Sequence, residues 1–391
     1  MSKQEDFRGF PLCDLLQMRT PVYLYDMRLL DSTLAEINRL TADDHMTVHY
    51  AVKANGNPEI LSEIARHGLG ADVVSGGEIA AAVSAGFSPQ DIAYSGVGKT
   101  DEEIRLGLEC GIGCFNVESV PELEVINELA GEMSKTANVA IRVNPDIDAH
   151  THKYITTGTA DNKFGIGIEA LDQVVKFAMN KMKHVKLHGL HFHIGSQIML
   201  MEPYSMLCDT VNDLLDHFEQ QGISFDSVNV GGGLGIDYDD PDGHAIPNLE
   251  GFFGVFKNKL RLRQGQQLHF ELGRSVVGQC GTLIARVLYV KQSRDKRFAI
   301  LDAGMTDLIR PALYGAVHSV RNLTSDERDV ETYDVVGPVC ESSDVFAHDC
   351  RLPVTRRGDL IALCSAGAYG ESMSSRYNMR PQAASIFYNG R

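Results

Sequence analysis

The chain has 391 residues, 43% of them hydrophobic and 23% charged, a composition typical of globular proteins. This length exceeds what one ordinary core requires, so we expect two domains. The formal net charge of −16 argues against nucleic acid or an anionic membrane as a partner, because both require clustered positive charge. A small anionic ligand in a local basic pocket remains compatible with this charge.

The N-terminal stretch MSKQEDFRGFPLCDLLQMRT lacks an apolar core of signal-peptide length. The longest apolar run, near IAAAVSAGF, is shorter than the ~18 residues that a membrane span needs. The eight cysteines are scattered and form no CxxC pair, so we expect reduced thiols. Together these features predict a soluble, cytoplasmic protein.

Strand-like and helix-like patterns alternate from about Val22 to Glu271. The predicted strands are 21–26, 46–54, 70–74, 91–97, 114–119, 138–145, 187–196, 227–233 and 267–273. Repeated strand–helix units indicate a parallel sheet. About eight of them in ~250 residues favour a closed barrel of the TIM type, with a doubly wound open sheet as the alternative.

After Gly273 the pattern changes to period two, with turn residues between short apolar segments such as TLIARVLYVKQ and RFAILDAG. This alternation predicts a mainly antiparallel β domain. The segment before Val22 is too short for a core of its own, and we expect it to pack on that domain. The predicted domains are therefore a barrel over 24–274 and a β domain made of 1–23 and 275–391.

Polar residues collect at the C-terminal ends of the predicted strands, where barrel enzymes place their catalytic groups. Lys53 ends one strand and points into the turn ANGNP, although the local pattern alone would let it point into water. The other polar residues near strand ends are Asp72, Arg142, His193, Ser196, Glu271 and Arg274. In a barrel, all of these side chains would share one mouth.

The triplet Gly231–Gly232–Gly233 follows the strand VNV and leaves backbone N–H groups free to approach an anion. Barrels often bind phosphate at the loops after their last two strands, which here are GGGLG and ELGR. The triplet and Arg274 therefore indicate a phosphate site, and a tight turn is the alternative.

The stretch HFH places His191 and His193 on one face of a strand, where two histidines can ligate a metal. No motif fixes a third ligand of similar reach, so we expect packed or stacked histidines and no metal ion.

Three stretches of the predicted β domain carry candidate chemistry: GPVCESSD with Cys340 and Glu341, DLIRPALYGA with Arg310 and Tyr314, and AYGESM with Tyr369. Arg310 and Tyr314 are four residues apart, on one side of a helical turn. Taken locally, the alternatives are a buried thiol, a surface arginine and an aromatic residue at a strand end.

Taken together, these stretches resemble one family over nearly the whole chain: the decarboxylases that use pyridoxal 5'-phosphate (PLP) and combine an alanine-racemase-type barrel with a C-terminal β domain. The motifs occur in the order YAVKAN, GADVVSGGE, GLHFHIGSQ, NVGGGLGI, ELGRS, DAGMTDLIRPALYGA, GPVCESSD and SAGAYGESM. Within the ornithine, diaminopimelate and arginine decarboxylase group, IRPALYGA and CESSD favour the diaminopimelate branch. The resemblance therefore implies decarboxylation of meso-2,6-diaminopimelate to L-lysine and carbon dioxide.

The resemblance also implies roles around the cofactor. Lys53 would form the Schiff base with PLP, and we expect burial to lower its pKa and make it nucleophilic. Glu271 would face the pyridine nitrogen and keep it protonated, while His193 would stack on the ring. Further residues matching positions that bind the phosphate or lie near the cofactor are Ser196, Gly232, Gly233, Gly273, Arg274, Asp72, Glu78, Arg142 and Tyr369.

Substrate contacts follow from the same resemblance. Arg310 and Arg274 would pair with the distal carboxylate of the substrate, and Tyr314 would add a hydrogen bond. Glu341 would meet the distal ammonium, and Tyr369 would touch both cofactor and substrate. Cys340 would deliver a proton to the α-carbon. The CES loop of the family reaches into the neighbouring subunit's site, which implies a homodimer with shared active sites.

The chain departs from the family in one place, because it has ELGR where EPGR is usual, so Leu272 loses the fixed φ of proline. The alternatives are a decarboxylase of D-lysine, D-ornithine or another basic amino acid, a PLP racemase, and a non-catalytic homologue. Arg310 argues against substrates without a second carboxylate. Cys340 argues against a racemase, which commonly uses a tyrosine as its second base.

Overall fold

The structure is a computed structural model that describes residues 5–42, 45–147 and 163–390. It divides into two compact units. One unit comprises the described parts of Met1–Thr33, Ile236–Pro247 and Arg274–Arg391, and the other comprises those of Leu34–Gly235 and Asn248–Gly273. Among the described residues, no helix combines the length and the apolar character that crossing a bilayer would require.

The N-terminal part of the chain contains three short strands and two helices. In chain order these are β1 (Asp6–Phe7), β2 (Phe10–Pro11), α1 (Leu12–Gln17), β3 (Val22–Asp26) and α2 (Met27–Thr41).

A closed parallel barrel follows, with helices between its strands. The strands are β4 (Met46–Ala51), β5 (Gly70–Val73), β6 (Ile92–Tyr94), β7 (Cys114–Val117), β8 (Ala137–Asn144), β9 (Ile166–Gly167), β10 (Val185–Phe192), β11 (Ser227–Gly232) and β12 (Gln267–Leu272). The helices are α3 (Pro58–Arg66), α4 (Gly76–Ala85), α5 (Asp101–Cys110), α6 (Val120–Glu132), α7 (Ile168–Lys181), α8 (Glu202–Gln220) and α9 (Leu249–Lys259).

Closure of the barrel comes from the pairing of β8 with β10, while the short β9 lies beside β8. The remaining strands pair in the order β10-β11-β12-β4-β5-β6-β7-β8, and each of these pairings is parallel. The predicted TIM-type barrel is confirmed, and the doubly wound alternative is wrong.

Local sequence explains where several barrel helices begin and end. Thr100 and Glu103 form a reciprocal capping box at the start of α5. Ser75 and Ser119 each accept a hydrogen bond from the backbone three residues later, which starts α4 and α6. Gly111 ends α5 in the left-handed conformation at φ 70°. These caps fix the starts of α4, α5 and α6 and thereby the loops after β5, β6 and β7.

The C-terminal part forms the second sheet. Its elements are α10 (Arg274–Val277), β13 (Gly281–Ser293), β14 (Lys296–Leu301), α11 (Arg310–Tyr314), β15 (Val320–Asn322), β16 (Val330–Val336), β17 (Val345–Pro353), β18 (Leu360–Leu363) and β19 (Ala384–Tyr388). The sheet runs β15-β18-β13-β14-β16-β17, and along this path of described strands the β14–β16 pairing is parallel while the others are antiparallel. The predicted, mainly antiparallel β domain is confirmed.

Strand β3 differs from the sequence-based expectation, which placed it at the head of the barrel series. It pairs antiparallel with β13 and parallel with β19, so it belongs to the second sheet. Four of its five residues are buried. A strand buried on both faces has a continuous apolar pattern, which does not reveal the sheet it joins.

Residues of the segment before Val22 pack into the core of the β unit. Phe7, Phe10 and Leu15 form one apolar cluster with Ile284 of β13 and Leu360 of β18. Burial of such side chains contributes roughly 1.5–3 kcal/mol each, so this short segment is held in place by the sheet.

Candidate active site

Lys53 lies in a single 3-10 turn, Val52–Ala54, immediately after β4. We expected the strand itself to reach Lys53. Its Nζ lies 3.4 Å from Oδ2 of Asp72, which is fully buried in β5. The Lys53 side chain remains 40% exposed, so the burial that we expected is incomplete. The strand has ended by this point, and the amine therefore reaches the mouth of the barrel and not its packed interior.

Glu271 is a buried carboxylate in β12 with three hydrogen-bond partners. Asn116 Nδ2 and Asn229 Nδ2 donate to Oε1 over 3.1 and 2.8 Å. His191 Nε2 lies 3.1 Å from Oε2. Burial alone would raise the pKa of Glu271, but His191 and the positive charges of the mouth hold it well below its usual range. Glu271 is therefore a fixed negative charge inside the barrel.

His193 lies just past the end of β10, two residues beyond His191, and both rings contact protein groups. The Gly232 N–H donates to Nδ1 of His193 over 3.3 Å, so this nitrogen acts as an acceptor. Desolvation, with the charges of Arg142 and Lys53, lowers the pKa of His193 to about 3. The imidazole is therefore neutral at physiological pH and presents an aromatic surface without charge.

The glycine triplet begins within the last residues of β11 and ends just after it, and it permits close approach of three backbone segments. A Cβ on Gly232 would lie 1.7 Å from the Glu271 carbonyl oxygen, and one on Gly233 would lie 2.3 Å from the Gly195 carbonyl oxygen. Gly233 also has φ 97°, which disfavours any side chain. Its carbonyl accepts from Ile198 N–H over 2.9 Å, so the Ser196 loop and the glycine loop lie together.

Gly273 packs against the turn that carries Lys53, because a Cβ there would lie 3.1 Å from the Cβ atoms of Ala51 and Ala54. The unusual Leu272 is fully buried and continues β12 in register with Tyr50. Leucine at this position therefore extends the strand by one paired residue and leaves the Gly273 contact in place.

Arg142 and Glu118 form a buried ion pair, with 2.7 Å between Nη1 and Oε1. The second oxygen of Glu118 accepts from Gly165 N–H over 2.9 Å, so the pair ties two loops of the mouth together. On the other side of the mouth, Glu78 Oε2 accepts from Val74 N–H over 2.8 Å. Desolvation raises the pKa of Glu78 to about 7 and that of Asp72 above its usual range.

Two predicted residues of the β unit, Arg274 and Arg310, contact a residue that sequence reasoning missed, Tyr238. Arg274 Nη1 donates to the Tyr238 hydroxyl over 2.7 Å. The Arg310 guanidinium lies 4.7 Å from the centre of the Tyr238 ring, and that of Arg274 lies 4.9 Å from the Tyr369 ring. Tyr314 ends helix α11, one turn after Arg310. This part of the unit therefore concentrates two buried guanidinium groups among aromatic rings.

Arg310 begins helix α11 and is only 5% exposed, so it is not the surface arginine that local sequence allowed. Its Nη1 lies 2.8 Å from His318 Nε2. Within the described residues, the partners of Arg310 are His318 and Tyr238, and no carboxylate forms an ion pair with it. A buried charge without a counterion costs several kcal/mol, and an anionic ligand would relieve that cost.

Cys340 is exposed, which excludes the buried-thiol interpretation. Its N–H donates to Asn378 Oδ1 over 3.3 Å, and Tyr377 donates to Glu341 Oε1 over 2.6 Å. Buried Asp344 braces this loop by accepting from the N–H groups of Met305 and Val339 over 2.6 and 2.7 Å. The thiol therefore stands on a braced loop at the surface of the chain.

Sequence reasoning missed several residues that complete these arrangements: Asn116, Asn229, Glu118, Tyr238 and His318. The first three are polar positions in or just after apolar barrel strands, so strict period-two alternation would have marked them as facing the interior. Tyr238 and His318 lie in loops, and no local signal identifies their partners.

The parallel barrel carries a lysine and a buried carboxylate at one mouth, and a separate β unit carries buried arginines. This combination is typical of a class of cofactor-dependent barrel enzymes. The chain belongs to the pyridoxal-dependent decarboxylases, because the model of their pyridoxal binding domain matches residues 31–278.

Individual relatives show which members of this family the chain resembles. It is 58% identical over 372 residues to a protein named diaminopimelate decarboxylase from Bacteroides thetaiotaomicron, a match that covers 95% of this chain and 96% of the relative. It is 41% identical to the protein of the same name from Vibrio cholerae, with 97% and 90% covered. Among solved structures, a mutant of diaminopimelate decarboxylase from Helicobacter pylori, complexed with L-lysine, superposes with a TM-score of 0.91 at 39% identity, covering 97% of this chain and 94% of that one.

Proposed function

We propose that the chain decarboxylates meso-2,6-diaminopimelate to L-lysine and carbon dioxide, using PLP held at Lys53. The names of its relatives support the activity, and buried Arg310 supports this substrate over others. A guanidinium that lacks a carboxylate partner among the described residues is suited to the second carboxylate of diaminopimelate. D-Lysine and D-ornithine have no such group and would leave this charge uncompensated.

The residues of the barrel fit a pyridoxal cofactor. The carbonyl approaches at Gly232 and Gly233 leave no room for a side chain, and a loop without side chains lets a phosphate approach the backbone closely. Lys53 offers a primary amine for a covalent bond to an aldehyde. Residues proposed to hold the phosphate or the ring are Ser196, Gly232, Gly233, Gly273, Arg274, His193, Glu271 and Tyr369.

Each side chain then has a defined task. When bound, PLP supplies an electron sink for the pair of electrons left on the α-carbon as carbon dioxide departs. Glu271 stays ionised because Asn116, Asn229 and His191 support its charge, so it can hold a proton on a nitrogen that faces it. Neutral His193 can stack on a cationic ring without repelling it.

In the β unit, Arg310 and Arg274 would bind the distal carboxylate, with a hydrogen bond from Tyr314, and Glu341 would bind the distal ammonium. Cys340 would deliver the proton that replaces the lost carboxylate. The eight cysteines are all free thiols, which supports our proposal of a reducing, cytoplasmic location.

The activity is tested by measuring carbon dioxide release from meso-diaminopimelate, D-lysine and D-ornithine, with wild type and Arg310→Met compared. We expect wild type to prefer diaminopimelate and the variant to lose roughly 100-fold in kcat/KM for it, because a charge-assisted pair is lost. Turnover of D-lysine should change little. Faster release from D-lysine by wild type, or racemisation without release, would contradict the proposal.

We also infer a homodimer in which Cys340 acts in the partner's site. Exposure of Cys340 on a braced loop supports this inference. Random mixing of Lys53→Ala and Cys340→Ala subunits should restore about a quarter of wild-type activity, because half the dimers would be mixed and each would hold one complete site. Separately incubated variants are the control. Confirmed mixed dimers with no restored activity would show that each site is complete within one chain.

A further inference from the structure

His318 connects Arg310 to the backbone of the β unit. Its Nε2 lies 2.8 Å from Arg310 Nη1, and its Nδ1 lies 2.8 Å from the carbonyl oxygen of Cys364 in the segment after β18. Only 3% of His318 is exposed, so water does not replace either contact. The imidazole therefore lies between a guanidinium and a main-chain carbonyl.

The chemistry of these two partners fixes the protonation state of the ring. A carbonyl oxygen can only accept a hydrogen bond, and a guanidinium can only donate one. Both contacts are satisfied when Nδ1 carries the proton and Nε2 is a bare acceptor. The neutral Nδ1–H form is thus the one that holds Arg310. Desolvation and the nearby charges of Arg310 and Arg274 act in the same direction and lower the pKa of His318 to about 3.

Tyr238 holds the same guanidinium from a second direction. Its ring lies 4.7 Å from the Arg310 guanidinium carbon and meets the His318 ring edge-on at 5.1 Å. Its hydroxyl accepts from Arg274 over 2.7 Å. The segment 236–247 that carries Tyr238 is anchored through Asp242, which forms ion pairs with Arg8 and Arg321. A face contact and an in-plane hydrogen bond together define the plane and the rotation of the Arg310 guanidinium.

We propose that His318, in its neutral Nδ1–H form, is a positioning residue that orients Arg310 against the Tyr238 ring and directs the remaining N–H donors of Arg310 to the distal carboxylate of the substrate. This inference rests on the proposed function and names a residue that sets its specificity. An arginine side chain that moves freely loses side-chain entropy when it binds a carboxylate. An arginine held in advance by His318 has already lost that freedom on folding, so carboxylate recognition is stronger.

The test compares His318→Phe with His318→Gln. Phenylalanine keeps an aromatic ring of similar size but has no acceptor, whereas the glutamine Oε1 can accept from Arg310 near the position of Nε2. We expect His318→Phe to raise KM for meso-diaminopimelate by roughly 10-fold or more, as loss of one hydrogen bond to a charged group predicts. The value of kcat should change less than about 3-fold, and His318→Gln should recover most of the loss.

Binding of two inhibitors gives a readout that a merely structural role would not produce. L-Lysine keeps the carboxylate that Arg310 would hold, and 1,5-diaminopentane has the same chain without it. In His318→Phe, the inhibition constant of L-lysine should rise roughly 10-fold while that of 1,5-diaminopentane stays within about 2-fold. Equal weakening of both inhibitors, or none, would overturn the role of His318. If wild type fails to release carbon dioxide from diaminopimelate, the proposed function fails instead. Unaltered cofactor absorbance and a single cooperative unfolding transition confirm that the variant is folded.

Discussion

Substitution of Gly232 by alanine probes how closely two barrel strands approach at the candidate site. Gly232 of β11 pairs with Glu271 of β12, and an added Cβ would lie 1.7 Å from the Glu271 carbonyl oxygen. A close C–H···O contact needs roughly 3.3 Å, so the strands must separate by about 1.5 Å. Overpacking of this kind costs roughly 3 kcal/mol, which corresponds to a melting temperature about 6–12 °C lower for the barrel unit.

The same displacement would move Glu271 away from Asn229, its closest hydrogen-bond donor at 2.8 Å. We therefore expect Gly232→Ala to weaken PLP binding by roughly 10-fold or more, since hydrogen bonds to charged groups contribute about 1.5–3 kcal/mol. Gly254→Ala is the matched control. A Cβ at Gly254 meets no described atom within 4 Å, and alanine favours the α9 helix by about 1 kcal/mol over glycine.

The assay measures thermal unfolding of both cofactor-free variants and PLP affinity by equilibrium dialysis. Gly254→Ala should match or slightly exceed wild type in melting temperature and bind PLP normally. The reasoning is refuted if Gly232→Ala melts within about 2 °C of Gly254→Ala and binds PLP with wild-type affinity, because the backbone at this point would then tolerate a side chain.

Three further predictions concern single side chains. Borohydride reduction of the cofactor-loaded protein should attach the cofactor to the peptide that contains Lys53; label on another peptide would remove Lys53 from its role. Glu271→Gln keeps the shape but not the charge, so kcat should fall roughly 100-fold or more, and near-normal turnover would exclude an electrostatic role. The folded-state pKa of His318 is about 3 and its unfolded value is about 6.5, so its contribution to stability is complete above about pH 6.5 and is lost as the pH falls toward about 3. At pH 5 this loss is about 2 kcal/mol, and melting of His318→Gln should depend less on pH than melting of wild type; identical pH profiles would contradict the buried, neutral imidazole.

The barrel was predictable because each strand carries an apolar run and several helices carry their own caps, so local signals repeat along the chain. The sheet that strand β3 joins was not predictable, since a strand buried on both faces has no pattern that identifies its neighbours. The sequence predicted a strand that includes Lys53, whereas β4 ends at Ala51 and Lys53 lies in the turn that follows. The donors around Glu271 come from residues as distant in sequence as Asn116, and only closure of the barrel brings them together.

Pairing of β3 with β19 has a consequence for biosynthesis of the chain. β3 occupies Val22–Asp26 and β19 occupies Ala384–Tyr388, so a strand made early pairs in parallel with one made more than 350 residues later. Ribosomes synthesise chains from the N-terminus, and domains generally fold as units as they emerge. The β unit can therefore complete its sheet only after β19 has left the ribosome, and a truncation that removes Ala384–Tyr388 would leave β3 without one of its two neighbours.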